Sequence, residues 1–147
     1  MSKADLELKD VIFFSIDQCL KRLRSYSTRT FANAGYDLTV DQWLVLKRVF
    51  DSNEEVNQTD IAEMLGKDGA SVTRILDLLV KKDLLFRQMN EVDRRKFDLV
   101  MTPKGNTYIQ ELTPLVQSIR ATALSNVSEA EVLVLRSVLE KIAANMQ

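Results

Sequence analysis

The chain contains no histidine and only one cysteine, Cys19, among its 147 residues. Without histidine it lacks the commonest acid–base catalyst and the commonest metal ligand of proteins. No zinc site, no other metal and no cofactor is therefore expected. A lone cysteine cannot form an intrachain disulfide, so a reducing, cytoplasmic setting is the simplest expectation.

Long apolar runs are also missing. No stretch approaches the roughly 18 residues of a membrane-spanning helix, and no signal-peptide pattern begins the chain, so no membrane partner is expected. Only four glycines and two prolines are present, which favours a mostly helical chain. The length suits one domain, predicted to span residues 1–147.

Catalytic patterns are absent as well. The sequence has no nucleophile with a partner base and no glycine-rich loop for phosphates, so we do not expect an enzyme. The formal net charge is only −1, but the charge is uneven. Between Lys67 and Lys104 there are nine Lys/Arg and six Asp/Glu. A weakly basic middle in an acidic scaffold fits a local nucleic-acid-binding face.

Long helices are predicted at both ends, over residues 6–33 and 103–147, and we interpret them as dimerisation helices. Phe13 and Phe14 widen the apolar stripe of the first, which therefore needs cover from a partner subunit or from the rest of the chain. Pro114 should kink or split the later helix. Its last part has a coiled-coil-like seam with spacings of three and four residues. The seam residues are Val132, Leu135, Leu139, Ile142 and Met146.

The stretch of residues 39–102 is predicted to form a DNA-binding lobe. A short helix ends at Gly66, and a longer helix follows from Gly69 to about Lys82. Two strand-like runs come next, joined by a charged loop. The predicted fold is mainly α with a small two- to three-stranded antiparallel wing. It is a winged helix-turn-helix domain flanked by long N- and C-terminal dimerisation helices.

The second helix of the pair is predicted to enter the major groove of DNA. Its small first residues allow close approach, and the free backbone N–H groups there can hold a phosphate. Arg74 can bond a guanine edge or a phosphate, and the hydroxyl groups can donate or accept. The alternative is a plain surface helix. The predicted contacts are Lys67, Gly69, Ala70, Ser71, Thr73, Arg74 and Lys81.

The loop between the strands carries three consecutive cations, Arg94, Arg95 and Lys96. Arg side chains are attracted to a narrow minor groove, so this loop is predicted to enter one. Asp93 has the wrong charge for DNA contact and is predicted to pair with a neighbouring arginine and so shape the wing. A solvated hairpin turn is the alternative interpretation.

Taken in order, these segments resemble the MarR family of bacterial transcription regulators over essentially the whole chain. The Asp-x-Arg wing followed by a Thr-x-x-Gly helix start is the most specific combination. One departure is Asp83, where the family often has glycine; Asp tolerates the left-handed conformation better than most residues. The matching segments are Leu38–Trp43, Gln58–Ala62, Val72–Leu79, Lys81–Leu85, Asp93–Arg95 and Met101–Gly105.

The resemblance implies a homodimer on a near-palindromic double-stranded DNA operator, with Arg95 in the minor groove. It also implies a repressor released by a small aromatic or phenolic effector. Tyr26, Tyr36 and Trp43 could line an effector pocket or belong to the core. Some members sense oxidants through cysteine, but Cys19 lies one turn beyond the expected position and is predicted to be a buried core residue.

The sequence therefore predicts a sequence-specific DNA-binding transcriptional regulator that acts as a homodimeric repressor. The alternative is a winged-helix protein-interaction module without DNA binding, which the acidic net charge favours. The cations of the predicted recognition helix and wing argue against that alternative.

Overall fold

The computed structural model describes residues 7–147, which form six α-helices and one two-stranded sheet. The predicted fold class, mainly α with a small antiparallel wing, is confirmed. The helices and strands are α1 (Ile12–Asn33), α2 (Val40–Asp51), α3 (Gln58–Leu65), α4 (Gly69–Lys81), β1 (Leu85–Met89), β2 (Phe97–Met101), α5 (Pro103–Ala123) and α6 (Glu129–Ala144).

Side-chain caps determine where four of the helices begin. Thr39, Asn57 and Ser128 each form a capping box with the residue three positions later, before α2, α3 and α6 respectively. The side chain of Thr102 accepts a hydrogen bond from the N–H of Gly105 at the start of α5. A cap of this kind contributes about 1 kcal/mol.

The first helix begins later than the sequence pattern predicts. The expected start at Leu6 lies outside the described residues. Leu8–Asp10 forms a separate 3-10 helix, and the backbone of Val11 is extended, with φ −82° and ψ 111°. Because an extended residue cannot continue a helix, α1 starts only at Ile12.

Pro114 does not split α5, so a break at this position is not observed. Proline removes one N–H, here the partner of the Gln110 carbonyl four residues earlier. Both residues are exposed, and water can satisfy that carbonyl. In the preceding position, the hydroxyl of Thr113 donates to the Ile109 carbonyl at 2.9 Å.

The hydrophobic core joins the end of α1 to the helix-turn-helix, the sheet and α5. On α1 only Ser27 and Phe31 are buried. The prediction that Cys19 is a buried core residue is wrong, because it lies on the part of α1 that the described chain leaves exposed. Fully buried members of the core include Phe31, Leu46, Ile61, Leu76 and Ile109.

Both terminal helices leave large apolar side chains exposed within residues 7–147. On α1, Ile12 is 61% exposed and Phe13 55%. On α6 no residue is buried against the described chain, and Leu135 of the predicted seam is 54% exposed. The rest of the described chain therefore does not cover the apolar side chains at the start of α1 and along α6. None of the described helices is long and apolar enough to span a bilayer.

The wing is an antiparallel hairpin in which Leu85 pairs with Met101 and Met89 with Phe97. A single bridge between Asn57 and Asp98 adds the residue before α3 to its edge. This bridge corresponds to the third strand that the sequence allowed. The wing is therefore joined to the start of α3 through the backbone.

The start of α5 lies tightly against the turn between α4 and β1. Asp83 in that turn has φ +60°, so the left-handed conformation predicted for it is confirmed. The hydroxyl of Thr102 donates to the Asp83 carbonyl at 2.6 Å, and the N–H of Thr102 donates to the Leu84 carbonyl at 3.2 Å. A Cβ at Gly105 would overlap that same Leu84 carbonyl. Only glycine fits this approach without a backbone shift.

Substitution of Gly105 by alanine is expected to lower the free energy of unfolding by about 1–3 kcal/mol, because the added methyl group displaces backbone. Urea denaturation measures the change. Gly69→Ala is the matched control, since its Cβ meets no described atom within 4 Å. Equal effects of the two substitutions would contradict the close contact at Gly105.

Candidate nucleic-acid interface

The turn between α3 and α4 is built by a left-handed glycine and a capping aspartate. Gly66 ends α3 with φ +62°, and the next N–H, that of Lys67, donates to the Ala62 carbonyl at 3.2 Å. Asp68 then caps α4. This geometry is the predicted helix-turn-helix.

Asp68 occupies the N-terminus of α4, where the sequence suggested a phosphate site. Its carboxylate accepts from the Ser71 N–H at 2.8 Å and from the Ser71 hydroxyl at 3.1 Å. These hydrogen bonds, above all the one from the backbone, lower the pKa of Asp68. The Ser71 N–H is therefore occupied by an aspartate of the chain itself, and phosphate binding at this helix start stays a prediction.

The other predicted contacts of α4 lie at its surface. Gly69, Ala70, Arg74 and Lys81 are exposed, and Ser71 and Thr73 are half-buried. The opposite face carries Val72, Leu76 and Leu79, which are completely buried. The helix therefore presents its polar residues to solvent while its apolar stripe fixes it to the core.

An amide side chain connects the start of α3 to α4. The Nε2 of Gln58 donates to the hydroxyl of Thr73 at 2.7 Å and lies 3.3 Å from the Gly69 carbonyl. It thereby contacts two of the predicted DNA-binding positions. The sequence analysis did not single out Gln58, because nothing in the local pattern shows which residue lies across the helix pair.

The wing loop is organised by a nearly buried asparagine. The side-chain oxygen of Asn90 accepts from the N–H groups of Val92 and Asp93 at 2.9 and 2.8 Å. Its amide nitrogen donates to Glu55 at 2.8 Å. Asparagine directly after a strand is a typical turn residue, and this was the available sequence signal.

Asp93 folds back on the arginine two residues later. Its carboxylate accepts from the N–H of Arg95 at 3.1 Å and from the Nε at 3.2 Å. The hydrogen bond from the Arg95 side chain is the main cause of the lowered pKa of Asp93. Even so, the Arg95 side chain is 92% exposed and remains available to another anion. Arg94 and Lys96 are exposed beside it.

A polar cleft of about 290 Å³ separates the start of α3 from the wing. Its walls include Gln58 and three cations, Arg87, Arg95 and Lys96. Arg87 is a residue that the sequence analysis missed; it also pairs with Asp77 of α4 at 2.7 Å. The cleft is suited to an anion such as a phosphodiester.

Lys67, in the turn before α4, shares an aspartate with α1. Asp41 lies 2.7 Å from the Nη1 of Arg24 and 3.5 Å from the Nζ of Lys67. The predicted phosphate-contacting lysine is thus held by a carboxylate of α2, and its side chain is still 41% exposed.

An apolar cavity of about 420 Å³ lies between α1, α2 and α5. Trp43 lines it, together with Phe31 and two arginines, Arg24 and Arg120. The buried Nε1 of Trp43 has no hydrogen-bond acceptor among the described residues. The cavity therefore combines apolar walls with two arginines that can bind an anion.

The two tyrosines predicted to line a ligand pocket lie elsewhere. Tyr36 packs edge to face on Tyr108, with ring centroids 5.0 Å apart, and its hydroxyl donates to Glu111 at 2.9 Å. That hydrogen bond is the main cause of the raised pKa of Tyr36. Tyr26 is 38% exposed on α1. Of the three predicted pocket residues, only Trp43 is among the cavity-lining residues.

Comparisons with known proteins agree on one family. A sequence model described as MarR family matches residues 36–96. The HTH-type transcriptional regulator MgrA of Staphylococcus aureus is 31% identical over 136 residues, covering 92% of this chain and 89% of MgrA.

Two solved structures show the same fold. A structure of S. aureus MepR in complex with DNA has a TM-score of 0.82 at 21% identity, covering 91% of this chain and 96% of MepR. Bordetella bronchiseptica BpsR, whose DNA binding is regulated by 6-hydroxynicotinic acid, has a TM-score of 0.82 at 21% identity. That match covers 94% of this chain and 96% of BpsR.

Proposed function

The chain belongs to the MarR family and is a DNA-binding transcriptional regulator. We propose that it acts as a homodimer that binds a near-palindromic duplex site. Each copy places α4 in a major groove and its wing in the adjacent minor groove. The two copies then bind half-sites about one helical turn apart.

One continuous surface carries this proposal. Gln58 lines the cleft that also contains Arg95 and Lys96, and it contacts Gly69 and Thr73 of α4. The wing cations and the exposed side of α4 therefore flank the same residue. A duplex laid along this surface meets a helix that fits the major groove and arginines suited to the minor groove.

We infer that a second copy of this chain covers the exposed apolar side chains of α1 and α6. The seam of α6 is apolar at Val132, Leu135 and Leu139, and α1 exposes Ile12 and Phe13. Apolar side chains exposed together along two helices indicate an interface. Burying them stabilises the dimer by about 25 cal/mol per Å² of apolar surface. A two-fold dimer would bury the same helices of both copies and hold the two α4 helices at a fixed separation.

Replacement of Arg95 by alanine is expected to weaken binding to the operator by about 1–3 kcal/mol, most strongly where the flanks are rich in A·T pairs. The slope of log affinity against log salt should become shallower by about two, because the homodimer loses one cation from each of its two wings. Fluorescence anisotropy with duplexes from the region upstream of its own gene measures both quantities.

Arg29→Ala is the matched control for Arg95→Ala, because it removes the same charge from an exposed position of α1. Arg29→Ala should leave the dependence of affinity on A·T-rich flanks unchanged. Equal affinity of the wild type and the Arg95 variant would remove the wing from DNA binding. Upstream fragments that bind no better than random DNA would contradict specific regulation altogether.

Replacement of Leu135 by arginine is expected to convert the dimer into single chains, because it places a charge in the α6 seam. Size-exclusion chromatography with light scattering measures the mass. Ser137→Arg on the opposite side of α6 is the control and should remain dimeric. A wild-type monomer, or a Leu135 variant that stays dimeric, would contradict this interface.

The apolar cavity supports regulation by a small aromatic acid or phenol, and with it a repressor that is released from DNA. Its walls accommodate a ring, while Arg24 and Arg120 can bind a carboxylate or phenol oxygen. BpsR, with the same fold, is regulated by an aromatic acid. An effector here would lie between α1 and the lobe that holds α4.

Binding of benzoate or phenol should change the emission of Trp43, the only tryptophan in the chain, and weaken operator binding. Substitution of Arg120 by glutamine should weaken benzoate binding more than phenol binding, because a charge-assisted hydrogen bond is worth about 1.5–3 kcal/mol. Unchanged emission and unchanged DNA affinity with both probes at millimolar concentration would contradict a site for this ligand class.

A further inference from the structure

The amide of Gln58 determines the hydrogen-bonding role of Thr73. Its nitrogen lies 2.7 Å from the Thr73 hydroxyl oxygen and 3.3 Å from the Gly69 carbonyl oxygen. A carbonyl only accepts, so the group facing it must be the NH₂ end of the amide. That NH₂ group can only donate, and the Thr73 oxygen therefore accepts.

The hydrogen of the Thr73 hydroxyl has a different environment from those of three other helical threonines. Thr30, Thr107 and Thr113 each donate to the carbonyl four residues earlier, at 2.8, 3.1 and 2.9 Å respectively. For Thr73 that carbonyl belongs to Gly69, which receives the Gln58 amide instead. Among residues 7–147 the Thr73 hydroxyl donates to no protein acceptor, so its hydrogen is free for a ligand.

We propose that Gln58 is a positioning residue that makes Thr73 a hydrogen-bond donor to a base edge and thereby sets base preference at one position of each half-site. The inference rests on the proposed entry of α4 into the major groove. In that groove guanine offers the acceptors N7 and O6, and thymine offers O4, whereas cytosine offers only the N4 donor. Adenine offers both the N7 acceptor and the N6 donor. Thr73 in this state therefore disfavours cytosine most clearly, and guanine or thymine against cytosine is the informative comparison.

A carboxylate in place of the amide reverses which of the two side chains donates the hydrogen bond. In the variant Gln58→Glu, residue 58 can only accept, so the Thr73 hydroxyl turns to donate to it. The Thr73 oxygen then faces DNA as an acceptor and favours the N4 of cytosine or the N6 of adenine. The new charge also repels phosphates, but that repulsion weakens binding to all sequences alike.

The test compares base preferences of the wild type, Gln58→Glu, Thr73→Val and the double variant. Each protein selects from duplexes randomised around the wild-type site, and selected pools are sequenced. The wild type should prefer guanine or thymine over cytosine roughly threefold to tenfold at one symmetric position, the discrimination of a single hydrogen bond. Gln58→Glu should shift that position toward cytosine or adenine by a similar factor.

Three variants separate this role from a structural one. Thr73→Val, which has the same shape without the hydroxyl, should lose the preference at that position. The double variant should match Thr73→Val there. Thr59→Glu adds the same charge one residue along α3, at an exposed position, and should lower affinity without changing preference.

Several outcomes would overturn the inference. A wild type that selects no site would overturn the proposed function and this inference with it. A wild type with a defined site, but an unchanged preference in either Gln58→Glu or Thr73→Val, would overturn this inference alone. If Gln58→Glu does not fold, Gln58→Leu carries the test: without the amide, the Thr73 hydroxyl should donate to the Gly69 carbonyl and the preference should be lost.

Discussion

The carbonyl of Leu84 is the point at which the helix-turn-helix, the wing and α5 meet. It accepts the N–H of Thr102 at 3.2 Å and lies against the Cα of Gly105. One residue earlier, the Asp83 carbonyl accepts the Thr102 hydroxyl at 2.6 Å. The end of α4, the start of β1 and the start of α5 are thereby held together. The geometry of the DNA-binding surface relative to the long helices depends on this contact.

Aspartates form ion pairs with three cations of that surface and so determine where the cationic side chains lie. Asp41 holds Lys67, Asp77 holds Arg87, and Asp93 holds Arg95. Exposed ion pairs contribute only about 0–1 kcal/mol to stability, so their main effect is on where each cation lies. A chain with a net charge of −1 can in this way keep a cationic cleft without an overall basic surface.

Features determined by neighbouring residues were predictable from the sequence. The capping residues Thr39, Asn57 and Ser128, the left-handed Gly66 and the buried stripe of α4 all follow local rules, and the structure has each of them. The pairing of Asp93 with an arginine also depends on residues two apart. Each of these contacts lies within one helical turn or one loop.

Features that depend on residues distant in sequence were missed or wrong. Gln58 and Thr73 are 15 residues apart, and Asn90 and Glu55 are 35 apart, so no local pattern links either pair. Cys19 was expected in the core because its stripe is apolar, yet periodicity does not say whether the same chain covers a stripe. Of the aromatic residues predicted to bind an effector, Trp43 lines the apolar cavity. Tyr36 lies outside it and donates a hydrogen bond to Glu111. Only the packing of the folded chain separates these two positions.

The central claim is that two copies of one surface, α4 with its wing, lie along a single duplex. Hydroxyl-radical footprinting of the bound operator tests it most directly, because it maps protected sugars on both strands. A dimer bound in this way should give two symmetric protected regions whose centres are about 10 base pairs, or one helical turn, apart. A single protected region, or protection without two-fold symmetry, would contradict it.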